Sequence, residues 1–360
     1  MSKRTVFLTV FLILSGLFSA KISASEPIEP EVSVSDSLKS PKAKEGKIDM
    51  TKLAFEHILD SHYWHFWGEG EGTVAVPLPC IVYSSTKGLQ FFSSSIFEHG
   101  HEAYGDYVLE EPNIISNNPE EKIYDLSITK NVVQLLLSTA LLLWIFTSIA
   151  RAYKSTGVTS APTGKQSFFE PLITFVRDDI AKTNIGSKSD KFVPYLLTVF
   201  FLILINNVLG MIPFGANLTG NIAFTLVLSL FTLILTNVNG NKNYWKHILL
   251  PPVPKALYIM MIPLEIIGIF TKPFALMIRL FANMTAGHMI VISLIGLIFM
   301  FETLLISPVS VAFTLFIDIL ECLVAILQAY IFTLLTSLFI GSACADHHEE
   351  GHEGEAHEAH

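Results

Sequence analysis

Charged residues and cysteines are both scarce in this chain. Only 15% of the 360 residues are charged whereas 51% are hydrophobic, which is more apolar surface than one soluble core can bury. The three cysteines, Cys80, Cys322 and Cys344, lie in three separate regions, so they give neither a disulfide framework nor a zinc-binding spacing. The composition therefore predicts a protein that uses lipid as a solvent, and we expect no cofactor.

A phosphate-binding loop is also missing. Neither Gly46-Lys47 nor Gly164-Lys165 has a glycine five positions earlier, as a loop that cradles nucleotide phosphates requires. The formal net charge of -9 comes largely from acidic regions before the first and after the last long apolar run. We therefore expect neither an ATP-hydrolysing enzyme in this chain alone nor nucleic acid as a partner.

Residues 1–24 have the pattern of a secretory signal peptide. Lys3 and Arg4 precede an apolar run from Val6 to Phe18, and small residues precede Ser25. The run is too short to cross a bilayer core of about 30 Å. We therefore expect the mature chain to begin near Ser25, outside the cytoplasm.

The next two stretches differ in composition. Residues 25–49 are rich in Ser, Pro, Glu and Lys, which predicts a flexible linker. Residues 50–130 are more aromatic and predict a small exported domain, with a helix from Met50 to Trp67. A hairpin is expected there as well, in which Ala75–Ser84 pairs with Leu89–Ser95.

Five apolar segments in residues 131–341 predict membrane-spanning helices, because a bilayer leaves backbone polar groups no partners outside a helix or closed barrel. They are Val132–Ile149, Val193–Ile212, Ile222–Val238, Leu257–Met300 and Ser307–Ile340. The fourth, as one helix, would be about 66 Å long, roughly twice the thickness of the hydrocarbon core. The fold class expected is thus an all-α polytopic membrane protein whose last two helices form a long tilted antiparallel hairpin.

The orientation follows from Lys and Arg, which accumulate in short cytoplasmic loops. Residues 151–191 and 239–255 are rich in them, whereas 213–221 and 301–307 contain none. With five spans, this distribution places the amino-terminal domain in the periplasm and the carboxyl terminus in the cytoplasm of a cell with an inner membrane. Within the first basic loop, Gln166–Thr183 alternates apolar and charged residues at helical spacing and predicts an interfacial helix.

Arg279 is the most informative residue of the sequence. It lies more than twenty residues from Lys255 on one side and from Glu302 on the other, too far for its side chain to reach either interface. An unpaired arginine at this depth costs from about 3 to about 10 kcal/mol or more, depending on the scale. Such a residue indicates an ion path. The alternative is a packing role opposite an internal carboxylate.

Its polar neighbours emerge when the last two segments are folded as a hairpin that turns near Ser307-Pro308. Residues at the same level then have position numbers with a constant sum. The sum for the pair Arg279 and Gln328 differs by only two from the sum for the pair His288 and Glu321. The hairpin therefore predicts two polar levels inside otherwise apolar helices.

The two levels should lie on different surfaces. Asn283 follows Arg279 by four residues and shares its helix face, whereas His288 follows Arg279 by nine and points half a turn away. We therefore expect His288 and Glu321 in a pocket between helices and Arg279 on a face that meets another protein. Glu265, fourteen residues before Arg279, adds an acid on the cytoplasmic side, or else is a carboxylate at a helix start.

These residues carry a resemblance to subunit a of F-type ATP synthases. The most specific block is Arg279–His288, RLFANMTAGH, and the similarity extends over about residues 131–341. Further similar blocks are Asn207–Pro213, Pro263–Glu265, Lys272–Pro273 and Leu327–Phe332. His288 and Glu321 stand where some bacterial members have an acid and a histidine, an exchange that resembles mitochondrial members. The exported domain departs from the minimal family pattern.

The resemblance implies a proton-conducting stator subunit in the plasma membrane. Its expected partners are a rotating ring of c subunits, the b subunits of the peripheral stalk, the remaining ATP synthase subunits and membrane lipid. It implies that Arg279 faces the ring carboxylate and that Glu265 belongs to the cytoplasmic half-channel. It further implies that the path from the outside is lined by His288, Glu321, Asn283 and Gln328.

Two other classes are possible. A secondary transporter or channel also hides charges in the membrane, but it would show inverted repeats, and none is found. A metal-handling protein is suggested by the His- and Glu-rich residues 342–360 and by His57, His62 and His65. In that reading, His62 and His65 share a helix face.

Overall fold

The structure of the chain is a computed structural model. It describes residues 60–67, 74–100, 102–110, 113–118, 121–157, 161, 164–212, 215–250, 254, 257–301 and 306–345. The predicted signal peptide, the predicted linker and the tail from residue 346 onward lie outside these ranges.

The described residues before the first long helix form seven strands and one short 3₁₀ helix, Ser94–Gly100. The strands are β1 (Tyr63–Trp67), β2 (Val74–Pro77), β3 (Pro79–Ser84), β4 (Gly88–Ser93), β5 (Tyr107–Glu110), β6 (Asn113–Ser116) and β7 (Ile123–Asp125). All pairings are antiparallel: β1 with β2, β5 with β6, and a three-stranded sheet in the order β4-β3-β7. We call these residues, with the loops between them, the β-domain.

The predicted hairpin is confirmed where β3 pairs with β4. Ser84 pairs with Gly88, whose positive φ of 73° is readily adopted only by glycine, and this closes the turn. Two parts of the expectation are wrong. Val74–Pro77 pairs with β1 instead of extending the hairpin, and Tyr63–Trp67 is a strand rather than the end of a helix. Aromatic residues favour a pleated sheet over a helix, which explains the second error.

A buried carboxylate holds several parts of the β-domain together. Glu121 accepts hydrogen bonds from the hydroxyls of Ser84, Thr86 (2.8 Å), Ser116 (3.0 Å) and Tyr107 (3.4 Å). The bond from Ser84, followed by that from Thr86, lowers the pKa of Glu121 from 4.5 to about 2. Glu121 is therefore ionised in the folded domain at neutral pH.

The apolar core of the β-domain lies beside this carboxylate. Its buried members are Tyr63, Cys80, Val82, Phe97, Tyr107, Leu109 and Ile114. Burial raises the pKa of the Cys80 thiol to about 12, so this cysteine is unreactive at neutral pH. A second buried contact joins His62 Nε2 to Asp125 Oδ2 at 3.1 Å and ties the residues before β1 to β7.

The chain then enters helix α1, Lys130–Thr156. Thr129 precedes the helix but makes no side-chain cap of its own. Asp60 supplies the cap instead, because its Oδ1 accepts from the Asn131 amide (3.3 Å) and its Oδ2 from the Thr129 hydroxyl (2.8 Å). The Lys130 amide also donates to the Ser61 carbonyl (3.0 Å). The β-domain is thereby fixed to the start of α1.

The rest of the described chain is helical. The helices are α2 (Lys165–Thr174), α3 (Ser189–Gly210), α4 (Ile222–Val238), α5 (Lys242–Leu249), α6 (Tyr258–Phe301) and α7 (Ile306–Cys344). Four segments are long and apolar enough to span a membrane, namely Lys130–Ser155, Lys165–Gly210, Tyr258–Leu297 and Pro308–Cys344. Helices α4 and α5, bent by 102° relative to each other, qualify as a fifth only when taken together.

The predicted interfacial helix, Gln166–Thr183, is helical throughout. Its second half, Phe175–Lys182, has π-helical hydrogen bonding, which the sequence pattern did not indicate. Val176 and Ile180 are buried, and Asp178 forms an ion pair with Lys182 at the surface.

The long hairpin is formed by α6 and α7. Helix α6 runs without interruption through Pro263 and Pro273. Helix α7 begins at Ile306. Ser307-Pro308, near which the turn was expected, is therefore already helical. Pro308 instead lies in the first helical turn, where a missing N–H leaves no hydrogen bond unmade.

Two compact units are distinguished in the chain. The first comprises residues 1–160, 201–227 and 277–329, and the second comprises 161–200, 228–276 and 330–360. Within the second unit, Phe192, Ile340 and Cys344 form a small core, and the Tyr195 hydroxyl is hydrogen-bonded to the Thr232 hydroxyl at 2.9 Å.

Candidate functional site

The predicted pairing of His288 with Glu321 is present in the first unit. His288 Nδ1 on α6 and Glu321 Oε1 on α7 are 2.7 Å apart. The side chains are only 13% and 8% exposed. An ionisable pair is thus enclosed between two largely apolar helices, at a distance that permits direct proton transfer.

A backbone carbonyl fixes the tautomer of the histidine. His288 Nε2 lies 3.1 Å from the carbonyl oxygen of Gly210, at the end of α3. A carbonyl oxygen can only accept, so Nε2 carries a hydrogen in this arrangement. One further proton then occupies the space between Nδ1 and Oε1, bonded to either atom.

Gly287 provides the space for the carboxylate. A methyl group added at this position would lie 2.8 Å from Oε1 and 3.0 Å from Cδ of Glu321. Such contacts are too close for carbon, so the carboxylate would have to move away from α6. The glycine therefore positions Glu321 for its contact with His288.

Two adjacent amides lie near the end of α3, the helix that carries the Gly210 carbonyl. Asn206 and Asn207 are both fully buried. The Asn207 side chain donates to the carbonyl of Ala325 on α7 (2.9 Å), which brings the end of α3 against that helix. The sequence indicated Asn207 only as part of a block similar to the family. The hydrogen bond from Asn207 to Ala325 and the hydrogen bond from His288 to Gly210 were not predicted. The signal available was two neighbouring amides in an apolar span.

Arg279 and Asn283 share an exposed face of α6, as expected from their spacing. No ion pair or hydrogen bond of the Arg279 side chain is present among the residues that the structure describes. The packing alternative, in which an acid of the same chain neutralises the arginine, therefore finds no support in the described ranges.

Gln328 occupies a different environment from Arg279. It is buried on α7, seven residues after Glu321. Within the described parts of the chain, no hydrogen bond connects it with Arg279. The hairpin register thus brings His288 and Glu321 into contact but leaves Arg279 and Gln328 apart. Asp318, one turn before Glu321, is exposed.

Glu265 belongs to the second unit. It is half-buried on α6, two residues after Pro263. In the same unit, the Lys272 ammonium lies 5.5 Å from the centroid of the Phe339 ring. Glu265 and Lys272 thus both lie on the part of α6 that precedes Arg279. The place of Glu265 in the cytoplasmic half-channel stays a prediction.

The metal-handling reading receives no support from the β-domain. Tyr63–Trp67 is a strand, so His62 and His65 do not share a helix face. His62 is completely buried and is bonded to Asp125. Across the described ranges, no group of three or more His, Cys, Asp and Glu side chains is placed to hold a metal ion. The acidic histidine-rich tail from residue 346 lies outside those ranges.

Comparison with known proteins identifies two matching families. The family described as ATP synthase A chain matches residues 132–341, and the family described as Domain of unknown function (DUF8433) matches residues 53–135. Subunit a of ATP synthase from Chloroherpeton thalassium is 47% identical over 251 residues, which are 67% of this chain and 75% of the relative. ATP synthase subunit a 2 of Prosthecochloris aestuarii is 46% identical over 277 residues, 72% of this chain and 84% of the relative.

Proposed function

The chain belongs to the ATP synthase A chain family and is the proton-translocating membrane subunit of an F-type ATP synthase, and we propose that His288, Glu321 and Arg279 carry out this transport. The family match confirms the resemblance of the Arg279–His288 block. The subunit is not itself a catalytic enzyme, and it works as a member of the ATP synthase complex.

The hydrogen-bonded chain Gly210–His288–Glu321 is the observation that carries the proposal. The pair passes its shared proton toward the rotor and then holds a carboxylate opposite the bare Nδ1 of a neutral histidine. That arrangement places a lone pair against a negative charge, and a new proton arriving from the outside relieves it. The pair therefore alternates between no net charge and one negative charge.

Arg279 acts on the carboxylate of the rotor, which we take to be a ring of c subunits. Its guanidinium attracts a deprotonated carboxylate by roughly 4 kcal/mol at a separation of about 4 Å, before desolvation is subtracted. A carboxylate that has accepted a proton is neutral and can turn into lipid, whereas a charged one cannot do so at acceptable cost. The positive charge also prevents protons from passing directly from one side to the other, so they must travel with the ring.

The other predicted residues have supporting roles in this scheme. Asn283 lies one turn from Arg279 on the same exposed face and would hydrate the ring carboxylate as it approaches. Gln328, buried on α7, would continue the path inward from Glu321. Glu265 would line the exit on the cytoplasmic side. The b subunits of the peripheral stalk would hold the protein against rotation.

The arrangement in the membrane follows from the charge distribution. We place five spans in the bilayer, with α4 (Ile222–Val238) forming the third. The signal peptide and the exported β-domain put the amino terminus in the periplasm, the basic loops keep residues 151–191 and 239–255 in the cytoplasm, and the tail is cytoplasmic.

Replacement of the arginine tests the proposal. In Arg279→Ala, the complex should assemble and hydrolyse ATP but fail to acidify inverted vesicles, because no fixed positive charge releases and receives the ring carboxylate. Ser293→Ala is a matched control, since Ser293 is an exposed residue of α6 whose hydroxyl bonds only to the carbonyl of Met289 in its own helix. Normal ATP-driven proton pumping by Arg279→Ala, measured with a fluorescent pH probe, would contradict the proposed role.

A further inference from the structure

One face of the three-stranded sheet in the β-domain is mostly apolar and is exposed in the part of the chain that the structure describes. We call it the outer sheet face. Successive side chains of a strand point to opposite sides, so alternate residues define it. Its members are Pro79, Ile81, Tyr83, Leu89, Phe91, Ser93 and Tyr124. Cross-strand pairing joins them, since Tyr83 is opposite both Leu89 and Tyr124, and Ile81 is opposite Phe91.

The exposure of these side chains is large. Phe91 is 69% exposed, Leu89 52%, Tyr83 46% and Tyr124 39%. The reverse side of the same sheet contributes Cys80 and other buried residues to the core. An antiparallel sheet whose outer side meets water normally alternates apolar and polar residues, whereas the outer side of this sheet is mostly apolar. A contiguous apolar surface of this kind marks an interaction site.

The position of the sheet relative to α1 indicates what covers this face. Strand β7 ends at Asp125, and only four residues separate it from Lys130, where α1 begins. Four residues span at most about 14 Å. The cap from Asp60 also holds the domain on the end of this helix. The outer sheet face is therefore part of a domain fixed where a membrane-spanning helix begins.

We propose that the outer sheet face rests on the lipid bilayer, in contact with the boundary between the phospholipid head groups and the acyl chains. None of its seven side chains is charged, and its two tyrosines combine an apolar ring with a polar hydroxyl. Tyrosine is enriched at this depth of a membrane for that reason. The face would thus be a second membrane attachment, separate from the spanning helices and independent of the proton path.

The depth of insertion is limited by the sheet itself. Among the described strands, β4 lies at an edge of its sheet, so one row of its backbone N–H and C=O groups has no strand partner there. Such groups are not tolerated in the hydrocarbon region but find water among the head groups. Contact should therefore be shallow, with the rings of Phe91 and Tyr124 reaching only the upper acyl chain.

Site-specific fluorescence in the reconstituted complex tests the proposal. The complex carries Cys322→Ala, because Cys322 is exposed whereas Cys80 and Cys344 are buried. Phe91→Cys, Tyr124→Cys and, as a control, Ile115→Cys are then labelled with an environment-sensitive fluorophore. Ile115, on β6, is 38% exposed and matches the 39% of Tyr124, but it lies outside the outer sheet face. Quenching is measured with nitroxide lipids and with a water-soluble quencher.

The proposal expects labels at positions 91 and 124 to be quenched by a nitroxide near the glycerol backbone more than by one at the end of the acyl chain. The label at position 115 should respond only to the water-soluble quencher. Equal quenching of all three labels from the water would overturn the proposal, as would protection of positions 91 and 124 from both quenchers, which indicates a protein partner.

A second measurement needs no substitution. A phosphatidylcholine that carries a photoactivatable diazirine is added to the unmodified complex, and the labelled peptides are identified by mass spectrometry. Adducts on residues 79–93, with none on 113–118, support the lipid contact. Adducts absent from residues 79–93 while α1 is labelled would contradict it.

Discussion

At the scale of single residues, the proton-carrying pair depends on a neighbour that has no side chain. Gly287 precedes His288 in α6 and leaves room for the carboxylate of Glu321. The distance between His288 Nδ1 and Glu321 Oε1 is thus set from both sides, by the glycine beneath the carboxylate and by the Gly210 carbonyl behind the imidazole. Small changes in this region should therefore affect proton transfer more than assembly.

Gly287→Ala should reduce proton pumping by about tenfold or more while ATP hydrolysis persists. The new methyl group would push the carboxylate away from His288, and the loss of a charge-assisted hydrogen bond is worth about 1.5–3 kcal/mol. The measurement is the initial rate of vesicle acidification. Gly268→Ala is the control, because a methyl group at that position of α6 meets nothing within 4 Å. Equal rates for the two variants would refute the positioning role.

Glu121 makes the stability of the β-domain depend on pH. Its pKa is about 2 in the folded domain and 4.5 ordinarily, so the ionised form stabilises the fold above pH 4.5. That contribution should disappear as the pH falls from 4.5 toward 2. The measurement is amide hydrogen exchange of residues 79–93 in the intact complex, corrected for intrinsic rates. Glu121→Gln should abolish this component of the pH dependence, whereas Glu102→Gln, at an exposed acid, should retain it.

At the scale of secondary structure, the start of α1 is completed by a residue far away in sequence. Asp60 lies 71 positions before Asn131, whose amide it caps, so the helix cannot acquire its cap until the β-domain has folded. Formation of the strands and formation of the first helical turn are therefore coupled.

Asp60→Ala should loosen the first turn of α1. Loss of a capping side chain costs about 1 kcal/mol, which corresponds to roughly fivefold faster amide exchange if that turn opens locally. The measurement is exchange at residues 130–134 compared with the middle of α1. Asp60→Asn preserves an acceptor oxygen and should behave nearly as the parent. A uniform increase along the whole helix would argue against a local cap.

The helices were predictable from sequence to within a few residues at most ends, because long apolar segments have few alternatives in a membrane. Ile222–Val238 agrees at both ends. The strand Tyr63–Trp67 was missed because short aromatic segments fit either structure until their partners are known. The contact of His288 with Glu321 was predictable from the hairpin register alone. The hydrogen bond from His288 to the Gly210 carbonyl was not predictable, because it depends on where α3 ends in space.

At the scale of the whole molecule, two kinds of architecture meet in one chain. A β-domain with its own core precedes a helical membrane part, and the two family matches overlap only at residues 132–135. The overlap falls at the start of α1, where Asp60 and Ser61 contact the helix. The joint between the two parts is therefore a structured contact.

The proposed orientation predicts opposite accessibility for the two ends of α1. In the Cys322→Ala background, Ser95→Cys marks the β-domain and Ser155→Cys marks the far end of the helix. Both serines are exposed. A membrane-impermeant maleimide should label position 155 only in inverted vesicles and position 95 only in right-side-out vesicles. Labelling of both positions from the same side would contradict the orientation.

The hydrogen-bond acceptor for His288 Nε2 is a main-chain atom, which hides it from conventional mutational screens. A methyl group at Gly210 would meet its nearest neighbour at 3.5 Å, an ordinary contact, and the carbonyl oxygen would remain where it is. An alanine scan would thus record position 210 as silent even though the tautomer of the histidine depends on it. Replacing that peptide bond by an ester weakens the carbonyl as an acceptor, so backbone editing rather than side-chain exchange is the way to expose its contribution.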